Sequence, residues 1–120
     1  MLPAAAVIAL LLVTTGPLPV PSAEDEMRFG IEAAQKGLWN EARFRFERAV
    51  ALDPENGKAR NDLAVAYEQM GEFEKAREAY EKALELKPGD ASIQQNYDLF
   101  READDKRARK SRRQPTNKKS

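Results

Sequence analysis

The sequence predicts an all-α fold, an α-α superhelix of two helix-turn-helix repeats followed by one C-terminal capping helix. Three observations support this prediction. Apolar residues recur at the spacing of one helix face. Glycine and proline interrupt that spacing at matching places. The third observation is a repeat at an interval of 34 residues, with identical pairs at Gln35 and Gln69, Gly37 and Gly71, Ala42 and Ala76, Arg43 and Arg77, Glu47 and Glu81, Ala49 and Ala83, and Pro54 and Pro88.

The composition argues against an enzyme. The 120 residues include no Cys and no His, so the chain lacks thiolate and imidazole metal ligands and the commonest general base. No carboxylate pair stands in a pattern that indicates catalysis. We therefore predict no catalytic residue, no cofactor site and no metal site, and we expect an interaction module.

The first 23 residues have the features of a cleaved signal peptide. Residues 1–13 are almost entirely apolar, and three prolines follow before an acidic run begins at Glu24. The apolar run fits a signal sequence and is shorter than the roughly 20 residues that a membrane span needs. Cleavage near residue 22 or 23 would give an exported protein, periplasmic or secreted. No Lys or Arg precedes the apolar run, so an uncleaved membrane anchor and a cytoplasmic protein with a misassigned start are the alternatives.

Each repeat should contain two helices that pack against each other. A glycine ends the first helix, at Gly37 and Gly71, and a proline follows the second, at Pro54 and Pro88. Small residues alternate with large ones along the second helices, which lets the helix backbones approach closely. The predicted core residues are Phe29, Gly30, Ala33, Trp39, Ala42, Phe46, Ala49 and Val50 in the first repeat and Leu63, Ala64, Tyr67, Phe73, Ala76, Tyr80, Ala83 and Leu84 in the second.

Residues 91–110 should form a fifth helix. Ile93, Tyr97 and Phe100 share one helix face, and Asp90 is suited to cap the helix N-terminus. The expected role of this helix is to cover the apolar end of the second repeat. Two repeats are fewer than the roughly three that a stable stack usually needs, so we expect self-association or a bound partner to contribute to stability.

The C-terminal residues differ in charge from the rest of the chain. Residues 24–105 hold 12 basic and 20 acidic side chains, whereas residues 106–120 hold eight basic ones and no acidic one. We predict a basic tail over residues 106–120 that is disordered beyond about residue 111, because this composition cannot bury a core. Its candidate binding residues are Lys106, Arg107, Arg109, Lys110, Arg112 and Arg113.

Several interpretations of this tail compete. It could bind an anionic membrane surface, fold back on the acidic body, or serve only as a solubilising end without a target. Nucleic acid is disfavoured as a partner, since the tail has no aromatic residue for base stacking.

On the repeated residues, the chain resembles a tetratricopeptide repeat protein, with repeats at residues 23–56 and 57–90. The second repeat is close to the family pattern. The first departs from it at Glu26, where the family favours a large aromatic residue, and at Ala33, where it favours Tyr. We therefore expect the first repeat to be the looser one. The resemblance implies a non-catalytic module that binds a protein or peptide on the concave surface formed by the first helix of each repeat.

Position by position, the resemblance places the peptide groove at Met27, Ile31, Ala34, Asn61, Val65, Glu68 and Gln95. It disfavours the C-terminal carboxylates of chaperones, because Met27 and Ile31 stand where that class of groove uses Lys and Asn. Met27 and Ile31 form either an apolar stripe for a partner segment or a contact with the chain's own N-terminal residues. Asn61 is either a hydrogen-bonding partner for a peptide backbone or a solvated helix-surface residue.

Three aromatic residues invite a functional interpretation. Trp39 and Tyr80 occupy core positions of the repeat, so we expect them to pack in the interior. Phe44 corresponds to Glu78 one repeat later, which predicts an outward-facing side chain on the convex surface. Phe44 is therefore a candidate second contact site, or else an isolated exposed apolar residue.

These residues together predict a non-catalytic adaptor that binds a protein or peptide in its concave groove. The alternative is an accessory factor whose basic tail binds an anionic membrane surface or nucleic acid. Steep weakening of binding at high salt would favour the alternative.

Overall fold

The computed structural model describes residues 15–114. In this part of the chain, five helices follow one another without a strand: α1 Ala23–Gln35, α2 Trp39–Leu52, α3 Gly57–Gln69, α4 Phe73–Leu86 and α5 Ala91–Arg113. Each helix packs against the next one along the chain. The predicted all-α fold of two helix-turn-helix repeats and a capping helix is confirmed. None of the helices between residues 15 and 114 is both long and apolar enough to span a membrane.

The two ends of the chain lie outside the described residues. The signal peptide prediction falls mainly on residues 1–14, and the end of the predicted tail falls on residues 115–120.

Side-chain caps begin three of the described helices. The hydroxyl of Ser22 accepts a hydrogen bond from the backbone N–H of Asp25 at 3.1 Å, and the Asp25 carboxylate accepts one from the backbone N–H of Ser22 at 3.1 Å. Asn56 caps α3 with its side chain, and Asp90 caps α5. The prediction of an N-cap at Asp90 is confirmed.

Glycine ends the first helix of each repeat, as predicted. Gly37 and Gly71 have φ angles of 73° and 76°, which lie in the left-handed region that favours glycine. The backbone N–H of Glu72, the next residue, donates to the carbonyl of Tyr67 at 2.9 Å. This bond satisfies a carbonyl at the end of α3 and turns the chain towards α4.

The core consists of two clusters in successive layers. The first lies among α1, α2 and α3 around Phe46, and the close approach of Gly30 to the Phe46 ring leaves no room for a Cβ atom. The second lies among α3, α4 and α5, where the ring centroids of Tyr80 and Phe100 are 5.4 Å apart. Tyr67 packs against both clusters. The predicted interior position of Tyr80 is confirmed, whereas Trp39 packs against the first cluster but is only partly buried. The predicted core position of Phe29 was wrong, because its side chain is 36% exposed.

Helix α5 covers the end of the second repeat and then continues past it. Ile93 and Phe100 are buried, as the predicted apolar face requires. The helix runs to Arg113, three residues past its predicted end, so the prediction of disorder beyond about residue 111 was wrong for residues 111–113. The guanidinium of Arg107 lies 3.6 Å from the ring centroid of Phe73 and holds this part of α5 against α4. Basic residues in the last turn also favour the helix, because they complement its dipole.

Candidate functional site

The first helices of the two repeats line two adjoining hollows. The larger, about 800 Å³, lies between α1 and the segment that leads into α3. The smaller, about 280 Å³, lies among α1, α2 and α3. Ile31 and Gln35 line both hollows, so the two form one continuous depression. We call it the α1–α3 trough. Its apolar lining consists of Met27, Ile31, Ala34, Trp39, Phe46 and Val65.

Four of the seven predicted groove residues lie in this trough. Ile31 and Ala34 from the first repeat and Val65 from the second line the smaller hollow together. Met27 lines the larger hollow, but it is only 8% exposed and belongs to the first core cluster. Its main role is therefore packing, and Ile31 presents the accessible part of the predicted apolar stripe.

The other three predicted groove residues do not line the trough. Asn61 is buried, and its side-chain oxygen accepts a hydrogen bond from Nδ2 of Asn96 at 3.2 Å. Glu68 accepts a hydrogen bond from the hydroxyl of Tyr80 at 2.9 Å. Gln95 is exposed on α5 and lines neither hollow. Asn61 and Glu68 thus join α3 to its neighbouring helices, and neither of the two interpretations given for Asn61 fits its position.

Three Tyr–Glu hydrogen bonds join successive helices. In each bond, a tyrosine hydroxyl donates at 2.9 Å to a carboxylate of the preceding helix. The pairs are Tyr67 with Glu47, Tyr80 with Glu68, and Tyr97 with Glu81. Burial, with the carboxylate of Glu47 adding to it, raises the pKa of Tyr67 to about 12. Burial, with the carboxylate of Glu68 adding to it, raises the pKa of Tyr80, and burial with Glu81 raises that of Tyr97. These hydroxyls therefore stay protonated and fix the helices that support the trough.

Asp62 lines the smaller hollow, and no feature of the sequence identifies it as a site residue. It is half-buried beside the apolar lining. Burial raises its pKa, and the nearby charge of Lys58 and a hydrogen bond from Asn61 oppose this shift. A single acidic residue on a helix rich in charges looks solvated in the sequence, because nothing local shows that it shares a hollow with residues of α1 and α2.

The convex side of the first repeat carries a cluster of aromatic and basic side chains. Phe44 is 48% exposed, which confirms its predicted outward position. The guanidiniums of Arg45 and Arg48 lie 5.6 and 5.7 Å from its ring centroid. Both arginines also bind Glu26, whose carboxylate is fully buried. A role for Phe44 in binding a partner stays a prediction.

The basic residues near the C-terminus fall into two groups. Lys106 pairs with Glu102 at 2.8 Å, and Arg107 pairs with Asp104 at 3.2 Å while it covers Phe73. The second group is exposed and forms no ion pair within residues 15–114; it consists of Arg109, Lys110, Arg112 and Arg113. Within residues 15–114, this second group therefore leaves four exposed positive charges at the end of α5.

The chain is similar to known repeat proteins. Residues 33–96 match the family described as tetratricopeptide repeat. A curated relative, Photosystem I assembly protein Ycf3 of Synechococcus sp. strain CC9605, is 35% identical over 102 residues, which cover 80% of this chain and 58% of the relative. The protein of the same name from strain CC9902 is 33% identical over 99 residues, 78% of this chain and 57% of the relative. The chain thus spans less than two thirds of the length of these relatives.

Proposed function

Because the chain belongs to the tetratricopeptide repeat family, we propose that it is a non-catalytic adaptor that holds a segment of a partner protein in the α1–α3 trough. One observation carries this proposal: Ile31 and Ala34 of the first repeat share a hollow with Val65 of the second. An apolar hollow that both repeats build suits a side chain of an extended or helical segment. The adaptor would then act by binding and presenting its partner.

The names of the curated relatives support a more specific role. Both are described as assembly proteins for photosystem I. We infer that this chain similarly holds a protein component while a larger complex is assembled. The trough supplies a binding surface for that task, and the family supports a role without catalysis.

A photo-crosslinking experiment tests the proposed trough. Gln35 is exposed and lines both hollows, so a benzoyl-phenylalanine introduced there should crosslink to the partner in native cells. The matched control places the same group at Leu99, which is 59% exposed on α5. We expect a discrete adduct from position 35 only, and we expect it to disappear when Ile31 and Val65 are both changed to Asp.

Two outcomes would contradict the proposal. Equal adducts from positions 35 and 99 would indicate contact without a specific surface. Adducts that persist in the Ile31→Asp, Val65→Asp variant would place the partner outside the trough. Met27 is left unchanged in this design, because it is part of the core and its substitution would disturb folding.

Export is a separate part of the proposal. The apolar run in residues 1–13 supports a chain that acts in the periplasm or outside the cell. Mass spectrometry of the protein from its native cells tests this directly. A mature chain that begins near residue 23 would support export, and a chain that retains residues 1–21 would contradict cleavage.

A second candidate function uses the projecting end of α5. Arg109, Lys110, Arg112 and Arg113 are exposed without ion pairs in the described part of the chain, which favours binding to an anionic membrane surface. Cosedimentation with phosphatidylserine vesicles at low and high salt tests it. Binding should weaken steeply with salt and vanish when all four residues are changed to Gln. Binding by the Gln variant equal to that of the wild type would contradict this function.

A further inference from the structure

Asp62 places a carboxylate at the edge of the smaller hollow without a strong partner. It forms no ion pair within residues 15–114, and its hydrogen bond from Nδ2 of Asn61 is long, at 3.5 Å. Burial is the main cause that raises its pKa, so the nearby charge of Lys58 and the hydrogen bond from Asn61 compensate the charged form only in part. A half-buried carboxylate in this state destabilises the free protein and is favoured by a cation that arrives from outside.

The remainder of the trough has the same sign of charge. Glu24, Glu32 and Asp53 line the larger hollow. The basic side chains there are Arg28 and Lys58, and Arg28 already pairs with Asp25 at 2.9 Å. Negative charge therefore exceeds positive charge along both hollows, and a ligand that complements the trough carries positive charge beside an apolar group.

Two stretches of the sequence, residues 1–21 and 109–120, do not combine a basic side chain with an aliphatic one. Residues 1–21 are rich in aliphatic side chains but contain no Lys or Arg. Residues 109–120 carry six basic side chains but no aliphatic or aromatic one. We take the occupant of the trough to be a segment of another protein, chosen by its charge and its apolar group.

We propose that the α1–α3 trough selects a partner segment in which Lys or Arg stands close to an aliphatic side chain. The aliphatic side chain fills the smaller hollow between Ile31 and Val65, and the cation pairs with Asp62. This inference rests on the proposed adaptor function and adds the chemistry of the segment that is bound.

The geometry makes the two contacts depend on each other. Once the aliphatic group fills the hollow, water is excluded around Asp62, and the attraction between its carboxylate and the cation grows as the local dielectric falls. A segment with a cation but no aliphatic neighbour leaves the hollow hydrated. An aliphatic segment without a cation buries Asp62 further, and no opposite charge then offsets the cost of burying its carboxylate. The trough therefore discriminates against both.

Selection from a random dodecapeptide phage library on the full chain tests the inference. We expect the enriched peptides to contain Lys or Arg next to, or two positions from, Leu, Ile or Val. Synthetic versions of these peptides are then measured by fluorescence anisotropy against the wild type and Asp62→Asn. The matched control is Asp105→Asn, since Asp105 is exposed on α5 and forms no ion pair in the described residues.

The Asp62→Asn substitution should weaken binding about tenfold or more, whereas Asp105→Asn should leave it unchanged. Binding should also require the hollow, so Ile31→Ser should weaken it in a protein that circular dichroism shows to be folded. Peptides that bind in an Ile31-dependent manner without a basic residue, or with no effect of Asp62→Asn, would overturn the inference and leave the adaptor function standing. If no peptide is enriched, the inference and the adaptor function are both contradicted. Both are also contradicted if Ile31→Ser leaves peptide binding unchanged and no adduct forms at position 35.

Discussion

Arg48 donates a hydrogen bond from Nε to the carboxylate of Glu26 at 2.7 Å and so joins α2 to α1. Arg45 donates to the other carboxylate oxygen at 3.3 Å. Glu26 is fully buried, while the two guanidiniums remain partly exposed and lie over Phe44. At this position the family favours an aromatic ring. The first repeat instead places a carboxylate there and pairs it with two arginines. The sequence could identify this departure but not the two arginines that compensate it.

Replacing Glu26 by Gln should lower the free energy of unfolding by about 2 kcal/mol, because charge-assisted hydrogen bonds to two arginines are lost. Urea denaturation at neutral pH measures this change. Glu24→Gln is the matched control, since Glu24 is exposed and forms no ion pair in the described part of the chain. Equal stability of the two variants would show that the cluster does not hold α1 in place.

The same pair predicts a dependence on pH. The hydrogen bond from Arg48 is the main cause that lowers the pKa of Glu26 below its ordinary value of 4.5. The unfolded chain therefore takes up a proton at Glu26 at a higher pH than the folded chain, and the contribution of Glu26 to stability is lost as the pH falls through and below 4.5. Urea midpoints measured from pH 7 downward should fall more steeply for the wild type than for Glu26→Gln. Parallel curves would contradict the assignment.

Removal of the Phe100 side chain tests whether α5 is a structural cap. Phe100 is fully buried against Tyr80, whereas its neighbour Leu99 is 59% exposed. Phe100→Ala should cost about 3 to 5 kcal/mol of stability, and Leu99→Ala should change it by less than about 0.5 kcal/mol. Thermal denaturation followed by circular dichroism compares the two. Similar midpoints for both variants would mean that the repeats are stable without the cap.

The turn at Gly71 gives a prediction about backbone conformation alone. An alanine at Gly71 would have to adopt a φ of about 76° in open space, so Gly71→Ala should cost about 1 to 2 kcal/mol. Gly89→Ala is the control, because a Cβ there meets nothing within 4 Å and Gly89 does not have a positive φ. Chemical denaturation of both variants provides the measurement. A destabilisation of equal size at Gly89 would point to a general effect of the substitution.

Local signals account for most of what the sequence could predict. Gly37, Gly71, Asp90 and the apolar spacing act within a few residues of themselves, so the helices and their turns are visible in the sequence. The contact between Arg107 and Phe73, which holds the end of α5 against α4, was not visible, because these residues lie far apart in sequence. Interactions of that kind depend on how helices cross.

The candidate site likewise contains residues that the sequence predicts and residues that it does not. Ile31, Ala34 and Val65 follow from the repeat positions and do line the trough. Asn61 was misjudged because its partner, Asn96, lies on α5, whose crossing over α3 no pattern in α3 specifies. Asp62 was missed for a similar reason, since its half-buried place in a hollow shared with α1 and α2 makes it distinctive, and its neighbours in sequence do not reveal this.

The capping box at Ser22 connects the fold to the predicted processing of the N-terminus. Ser22→Ala should cost about 1 kcal/mol, because the backbone N–H of Asp25 loses its acceptor. Ser92→Ala is the control, since Ser92 is an exposed serine in the first turn of α5 and only its backbone N–H takes part in a cap.

Cleavage after residue 22 or 23 would remove Ser22 itself. A chain that starts at Glu24 should therefore be less stable than one that starts at Ser22 by about the same amount as Ser22→Ala, as measured by urea denaturation. If the two chains unfold at the same urea concentration, the capping box does not stabilise α1, and processing at either position leaves the first repeat intact.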